Sequence, residues 1–304
     1  RSILKSKLLI LVGPTAIGKT SLSIDIAKKF NAEIISGDSM QVYRNMDIGT
    51  GKITEAEMDN IPHHMIDILN PDETFSVSDF QNQVEYLVKD IESRGRLPMI
   101  AGGTGHYIKA LIEGYEFNDE NQADIDRLTE EYEQLEDEEL FAELIKIIPD
   151  SDIHPNNRKK IIRQIVKSKL DIPEKKAYTQ KPKYDTFLIG LTADRSVIYD
   201  RINKRVTEMF EAGLLEEVTG LQNSGLSKTA GQAIGYKEFL PYFKGEVALP
   251  DVMERIQAHS RQYAKRQLTF FRNQLDIHWY DIAHSNTDII YEDIYQFLQT
   301  KGEN

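Results

Sequence analysis

The stretch Gly13-Pro14-Thr15-Ala16-Ile17-Gly18-Lys19-Thr20 constrains this chain more than any other. It follows the apolar run Leu8-Leu9-Ile10-Leu11-Val12 and leads into residues 21–30, so it reads as strand, loop and helix. The spacing is G-x-x-x-x-G-K-[ST]. In that pattern consecutive backbone N–H groups and a helix N-terminus surround phosphate oxygens, the lysine adds a point charge and the hydroxyl ligates magnesium. At ordinary residue frequencies chance produces it in about one chain in a hundred of this length. A bare glycine turn between core elements would give Lys19 and Thr20 no reason to be there. The loop therefore predicts a bound diphosphate, and the rest of the chain must say whether that diphosphate belongs to a nucleotide.

With 304 residues the chain exceeds the usual single domain, which predicts one large domain with an insertion, or two domains. No apolar run approaches the ~20 residues of a membrane span. A soluble protein without membrane contact is expected. Residues 1–7 carry basic side chains, but the apolar run after them is too short for a signal segment, so no export is indicated. The absence of cysteine excludes disulfides, thiol catalysis and cysteine-ligated zinc, and fits a reducing cytoplasm.

A formal net charge of −12 opposes nucleic-acid binding until its distribution is mapped. Residues 116–143 hold thirteen acids against the single base Arg127, which leaves the remainder of the chain neutral. Within that remainder, residues 158–169 carry six bases and no acid, and residues 255–275 carry five bases and no acid. Charge segregated in this way gives a basic face to a polyanion despite an acidic sum. Taken singly, either block reads by default as a solvated helix face.

Along the chain, residues 32–37 form a second β-prone run with Asp38-Ser39-Met40-Gln41 at its carboxyl end. Ligands of open parallel sheets bind at those ends. Asp38 thus shares a rim with the phosphate loop, where a carboxylate can act as a base or bind a magnesium-held water; an Asp that only closes the strand is the other reading. His63-His64 has no third ligand nearby and reads as packing or hydrogen bonding rather than zinc. Ser78 is expected to cap a helix through Phe80, Val84, Leu87, Val88 and Ile91. Residues 97–101 then form a strand ending in Gly102-Gly103-Thr104-Gly105, where an ordinary phosphate-loop nucleotidase would place a magnesium-holding Asp.

From residue 116 to 183 the composition turns to long charged helical stretches, and strand character returns at Thr186. The fold predicted is α/β: a phosphate-loop (P-loop) type parallel sheet flanked by helices, formed by residues 1–115 and 184–304, with an all-helical insertion domain at 116–183. Asp194 is expected to cap a helix carrying Arg201 and Arg205, four apart and on one face, which either clamp phosphate or form surface pairs with Asp200 or Glu208.

Several stretches together resemble the bacterial tRNA dimethylallyltransferase family, the tRNA isopentenyltransferases. They are residues 13–20; Asp38-Ser39-Met40-Gln41-Val42-Tyr43-Arg44 running into residues 46–52; Gly102-Gly103-Thr104-Gly105-His106-Tyr107; His154-Pro155-Asn156-Asn157 through Arg163; Arg201 through Arg205 and Met209; Ala233-Ile234-Gly235-Tyr236; and residues 260–267. Departures are small: Gly51 where Ala is expected, and Phe270 where many members have Trp.

The resemblance implies transfer of a dimethylallyl group from its diphosphate to the exocyclic N6 of adenine 37, beside the anticodon of tRNA. It makes Gly13, Thr15, Ala16, Gly18, Lys19 and Thr20, with Arg205 and Arg201, the holders of the donor diphosphate. Thr20 becomes a ligand of a magnesium cofactor. It gives Asp38 the role of accepting the N6 proton and places Thr104 where donor and adenine meet. Asp38, Ser39, Met40, Gln41 and Thr104 would line the pocket of an extruded adenine. Lys159, Lys160 and Arg163, with Ala233, Gly235, Tyr236 and Lys237, would contact the RNA. A monomer is expected. The alternatives are prenyl transfer to a free adenine nucleotide, a kinase using ATP, and an RNA-binding protein without chemistry.

Overall fold

The computed structural model describes residues 4–115, 122–171 and 182–301. It divides into two compact units, one of Arg1–Glu113 with Pro182–Asn304 and one of Gly114–Lys181. Strand structure resumes at Tyr184, two residues before the Thr186 read from the sequence.

The first unit begins with β1 (Ser6–Val12), α1 (Lys19–Phe30), β2 (Ala32–Ser36), α2 (Glu55–Met58), β3 (His63–His64), α3 (Val77–Ser93), β4 (Leu97–Ala101) and α4 (Gly105–Glu113). The second unit contributes α5 (Gln122–Glu133), α6 (Asp137–Ile147) and α7 (Arg158–Lys169). The chain then returns through β5 (Tyr184–Thr192), α8 (Arg195–Glu211), α9 (Leu214–Ser224), α10 (Lys228–Gly231), α11 (Leu240–Phe243), α12 (Leu249–Gln274), β6 (His278–Asp281) and α13 (Thr287–Gln299).

The six strands form one sheet in the order β3-β2-β4-β1-β5-β6, every pair parallel. The run of five apolar residues in β1 is explained by its central place: Leu8, Leu9, Ile10, Leu11 and Val12 are each fully buried. Parallel sheets covered on both faces need such unbroken apolar strands. Alternation divides the run between the two faces. Leu9 and Leu11 pack with Ile24 and Ile26 of α1 and Ile198 and Ile202 of α8. Leu8, Ile10 and Val12 pack with Phe80 and Val84 of α3, Ile108 of α4 and Phe271 of α12. Each such burial contributes about 1.5–3 kcal/mol. Because β4 lies between β1 and β2, the chain reverses order there, and the carboxyl ends of these three strands form the crevice where ligands of such sheets bind.

Two caps differ from expectation. α3 is capped by Ser76, not Ser78: the Ser76 hydroxyl accepts from the Asp79 amide at 3.0 Å while Asp79 accepts from the Ser76 amide at 2.8 Å. A charged carboxylate completes this box and opposes the positive end of the helix dipole, a combination Ser78 lacks. Asp194 occupies the N-cap of α8, but its side chain makes no capping bond.

The second unit has its own apolar core of Leu140, Leu144, Ile153, Ile161, Ile162, Ile165 and Val166. Arg158 ties its helices together, donating to Asp137 Oδ1 at 2.8 Å and to the carbonyls of Glu133 and Leu135 at 2.6 Å each. Among the described residues no helix is long and apolar enough to cross a membrane.

Candidate active site

The loop after β1 takes its shape from Ala16, at φ 64°, and Gly18, at φ 104°, which opens α1. Lys19 folds over the loop and donates to the carbonyls of Gly13 at 2.6 Å and Pro14 at 3.0 Å. Burial, with the Arg205 charge beside it, pulls the Lys19 ammonium down to about 7, and Asp38 opposes part of that shift. Thr20 is exposed at the first turn of α1.

Arg205 reaches this loop from α8 and donates to the Thr15 hydroxyl at 2.8 Å. Burial lowers its pKa against the attraction of Asp38, Glu57 and Glu208. Its expected companion behaves differently. Arg201 is exposed and, among the described residues, makes no hydrogen bond or ion pair, so the structure brings only Arg205 to the loop. Helical spacing puts the two on one face, but the buried seam of Ile198, Ile202 and Val206 runs nearer to Arg205.

Asp38 and Thr104 meet where β2 and β4 end. The Gly37 amide donates to the Ala101 carbonyl at 2.9 Å and the Gly102 amide to the Leu11 carbonyl at 3.1 Å, which extends the sheet beyond its last regular pair. A Cβ on Gly102 would overlap the Gly37 backbone, so glycine is required for this approach. The Thr104 amide donates to the Gly37 carbonyl at 3.3 Å and its hydroxyl accepts from the Ser39 amide at 3.0 Å. Asp38 Oδ1 accepts from the Met40 amide at 2.9 Å, and among the described residues its second oxygen takes no hydrogen bond. Gln41 contacts the Ser36 hydroxyl at 3.2 Å and donates to the Thr50 carbonyl at 3.5 Å. The glycine-rich end of β4 thus serves close packing of backbones rather than metal ligation.

Two further residues of this corner belong to the 260–267 stretch that carries the resemblance, without a role assigned to them from the sequence. On α12, Gln267 is 7% exposed and donates to the Gly103 carbonyl at 2.9 Å. One turn earlier, burial and then the Asp38 charge push the Tyr263 hydroxyl up to about 12, while the neighbouring Thr104 and Gln267 side chains offset part of the shift. The available signal was a polar residue on the apolar side of an amphipathic helix, spaced four from a tyrosine.

The residues expected to touch RNA divide. Lys159, Lys160 and Arg163 lie exposed on α7, opposite the buried Ile161, Ile162, Ile165 and Val166, and among the described residues they form no ion pair. Ala233, Gly235 and Tyr236 are buried, Tyr236 with its hydroxyl on Glu217 at 2.8 Å, and Lys237 is half-buried. The motif's apolar members pack inward, which leaves only Lys237 of that group partly open to a partner.

A family profile described as IPP transferase matches residues 41–274. The tRNA dimethylallyltransferase of Macrococcus caseolyticus is 48% identical over 297 residues, covering 95% of this chain and 95% of that protein. Among solved structures, the tRNA delta(2)-isopentenylpyrophosphate transferase of Staphylococcus epidermidis is 44% identical with a TM-score of 0.72, over 98% of this chain and 100% of that one. A eukaryotic dimethylallyltransferase acting on tRNA is 26% identical with a TM-score of 0.76, over 98% of this chain and 81% of that one.

Proposed function

The chain belongs to the IPP transferase family, and from that premise we propose that it transfers a dimethylallyl group from dimethylallyl diphosphate to N6 of adenine 37 in a tRNA anticodon loop, releasing diphosphate. The observation that carries this reading is the junction of two chemistries on one rim. A phosphate loop with Arg205 on Thr15 stands beside a carboxylate, Asp38, with one oxygen unengaged, and a hydroxyl, Thr104, held by the Ser39 amide. Prenyl transfer needs both, because a diphosphate must leave and an exocyclic amine must lose a proton.

In this reading the loop amides, Lys19 and Arg205 hold the diphosphate and stabilise charge that grows on it as the carbon–oxygen bond breaks. N6 attacks the freed allylic carbon. An adenine amine is a very poor acid, so its proton passes to the Asp38 carboxylate during or after formation of the carbon–nitrogen bond. Thr104 positions the two reactants. A base stacked in its loop cannot reach such a crevice, so adenine 37 is extruded into it past Ser39, Met40 and Gln41.

Magnesium fits the donors present. Among the described residues no three His, Cys, Asp or Glu side chains gather to cage a metal. Thr20 offers a hard oxygen at the loop, and magnesium characteristically takes its remaining ligands from water and phosphate. When bound there it would neutralise charge on the leaving diphosphate. The exposed Lys159, Lys160 and Arg163 of α7 contact the RNA backbone. A monomer is part of this proposal.

Prenyl transfer to a free nucleotide and phosphoryl transfer from ATP are not favoured, since the relatives are named for tRNA substrates. The test is incubation with dimethylallyl diphosphate, magnesium and an unmodified anticodon stem-loop. A dimethylallyl mass increment on adenine 37 is expected; γ-phosphate transfer from ATP in place of prenylation would sink the reading.

A further inference from the structure

Glu217, in the first turn of α9, lies outside the stretches that carry the family resemblance, yet it holds a loop of the site. Its Oε1 accepts from the amides of Asp47 at 2.8 Å and Ile48 at 2.9 Å, and its Oε2 from Ile48 at 3.1 Å and Gly49 at 3.2 Å. The Tyr236 hydroxyl also donates to Oε2, at 2.8 Å. Three successive amides and a phenol thus converge on one carboxylate, and bonds to a charged acceptor are about twice as strong as neutral ones. Burial, and then the Glu217 charge, raise the Tyr236 pKa far above its ordinary value, which keeps the phenol a donor. The Tyr236 ring fills the space that a Cβ on Gly49 would need.

The far end of the same loop meets Arg205. Gly51 stands at φ 58°, and the Arg205 guanidinium occupies the volume where its Cβ would stand. Lys52 closes the loop, donating to the Tyr43 carbonyl at 2.6 Å and to Asp47 Oδ1 at 2.7 Å. Between them the Thr50 carbonyl accepts from Gln41. Residues 47–52 therefore run from the Glu217 anchor to the residue that donates to Thr15.

We propose that Glu217 is a positioning residue: by fixing the amides of residues 47–49 it fixes Gly51, and through Gly51 the pose of Arg205 toward the donor diphosphate. The proposal rests on the diphosphate role assigned to Arg205. It also gives Tyr236 a task as the brace of Glu217.

The test is a double-mutant cycle between Glu217→Ala and Arg205→Ala, read as inorganic diphosphate affinity by calorimetry, with anticodon stem-loop affinity as the control. Glu217→Ala is expected to weaken diphosphate binding about tenfold and to change stem-loop binding less than about twofold. In the Arg205→Ala background the same substitution should have no further effect, since residues acting through one contact are not additive. Glu217→Gln, which keeps one acceptor oxygen, should recover part of the affinity. An equal loss in both backgrounds, or an equal loss for diphosphate and stem-loop, overturns the proposal, because a merely structural role predicts both. If Glu217→Ala does not fold, Tyr236→Phe replaces it; it removes one bond, keeps the ring on Gly49, and should give a smaller loss that vanishes without Arg205. A wild-type protein that binds diphosphate but prenylates no adenine defeats the functional reading, while the affinity cycle still judges Glu217.

Discussion

The Ser39 amide donates to the Thr104 hydroxyl across 3.0 Å, joining the carboxyl ends of β2 and β4. That bond uses one of the hydroxyl's two lone pairs, and its proton stays available for donation. The Gly37 and Gly102 backbone bonds on either side of this contact keep Asp38 and Thr104 in one frame. Site geometry resting on sheet backbone varies less than geometry resting on long side chains, and preorganisation of this kind is what positioned catalysis requires.

Replacing Asp38 with Asn should retain the Met40 amide bond through the remaining carbonyl oxygen while removing the proton acceptor. Turnover for prenyl transfer is expected to fall by about 10² to 10⁴. Stem-loop affinity should stay within about twofold of wild type. Single-turnover chemistry and equilibrium RNA binding, measured side by side, check this; normal chemistry with lost binding would show that Asp38 only touches RNA.

Lys19, held at about 7 in the free protein by burial and by Arg205, is largely neutral at pH 8 and charged at pH 6. An arriving diphosphate favours the charged form, so binding at pH 8 should take up nearly one more proton than binding to Lys19→Met, and at pH 6 the two should match. Calorimetry in buffers of different ionisation enthalpy measures the difference. The sign for stability follows from the same shift. Above pH 7 the unfolded lysine still holds the proton that the folded one has released, so the free protein gains stability from this group as pH rises toward the ordinary lysine range.

Glu33 lies buried at the opposite end of β2 with His64 on Oε1 at 2.7 Å, Arg94 Nη2 on the same oxygen at 2.8 Å, and Arg96 at 3.5 Å. Burial alone would raise its pKa, but the hydrogen bonds from Arg94 and His64 outweigh it and hold the carboxyl below its usual range. Its contribution to stability is therefore present above the unfolded carboxylate pKa and lost as pH falls through the folded one. Glu33→Gln should lower the thermal midpoint at pH 7 and flatten its fall below pH 5. A variant whose midpoint tracks wild type across that range would refute the assignment.

Lys160→Ala combined with Arg163→Ala removes two exposed cations of α7 while leaving the buried face of that helix intact. RNA affinity should weaken, and the slope of log affinity against log salt should become shallower by about one to two. An unchanged slope in a salt titration would remove this helix from the RNA interface.

Much of the site was readable locally. The phosphate loop, the strand before it and the helix after it are contiguous, and backbone amides bind phosphate in a way that depends little on distant residues. Asp38 and Thr104 could be placed on the rim because strand ends are marked by the chain itself. Arg201 and Arg205 show where local rules stop. Helical spacing treats them alike, whereas packing against the sheet carries one to Thr15 and leaves the other in solvent. Ala233, Gly235 and Tyr236 make the same point, since their motif was readable but their burial was not.

From residue order alone came the parallel α/β class, the helical character of the stretch between the two halves of the sheet and the strand, loop and helix of residues 8–30, because periodicity, glycine placement and charge segregation act between near neighbours. The inward turn of Tyr263 and Gln267, the four donors that meet on Glu217 and the seat of Arg205 over Gly51 emerged only from the folded chain. Each of these joins groups far apart in sequence, and such contacts are selected by burial and hydrogen-bond satisfaction in three dimensions, for which no one-dimensional spacing exists.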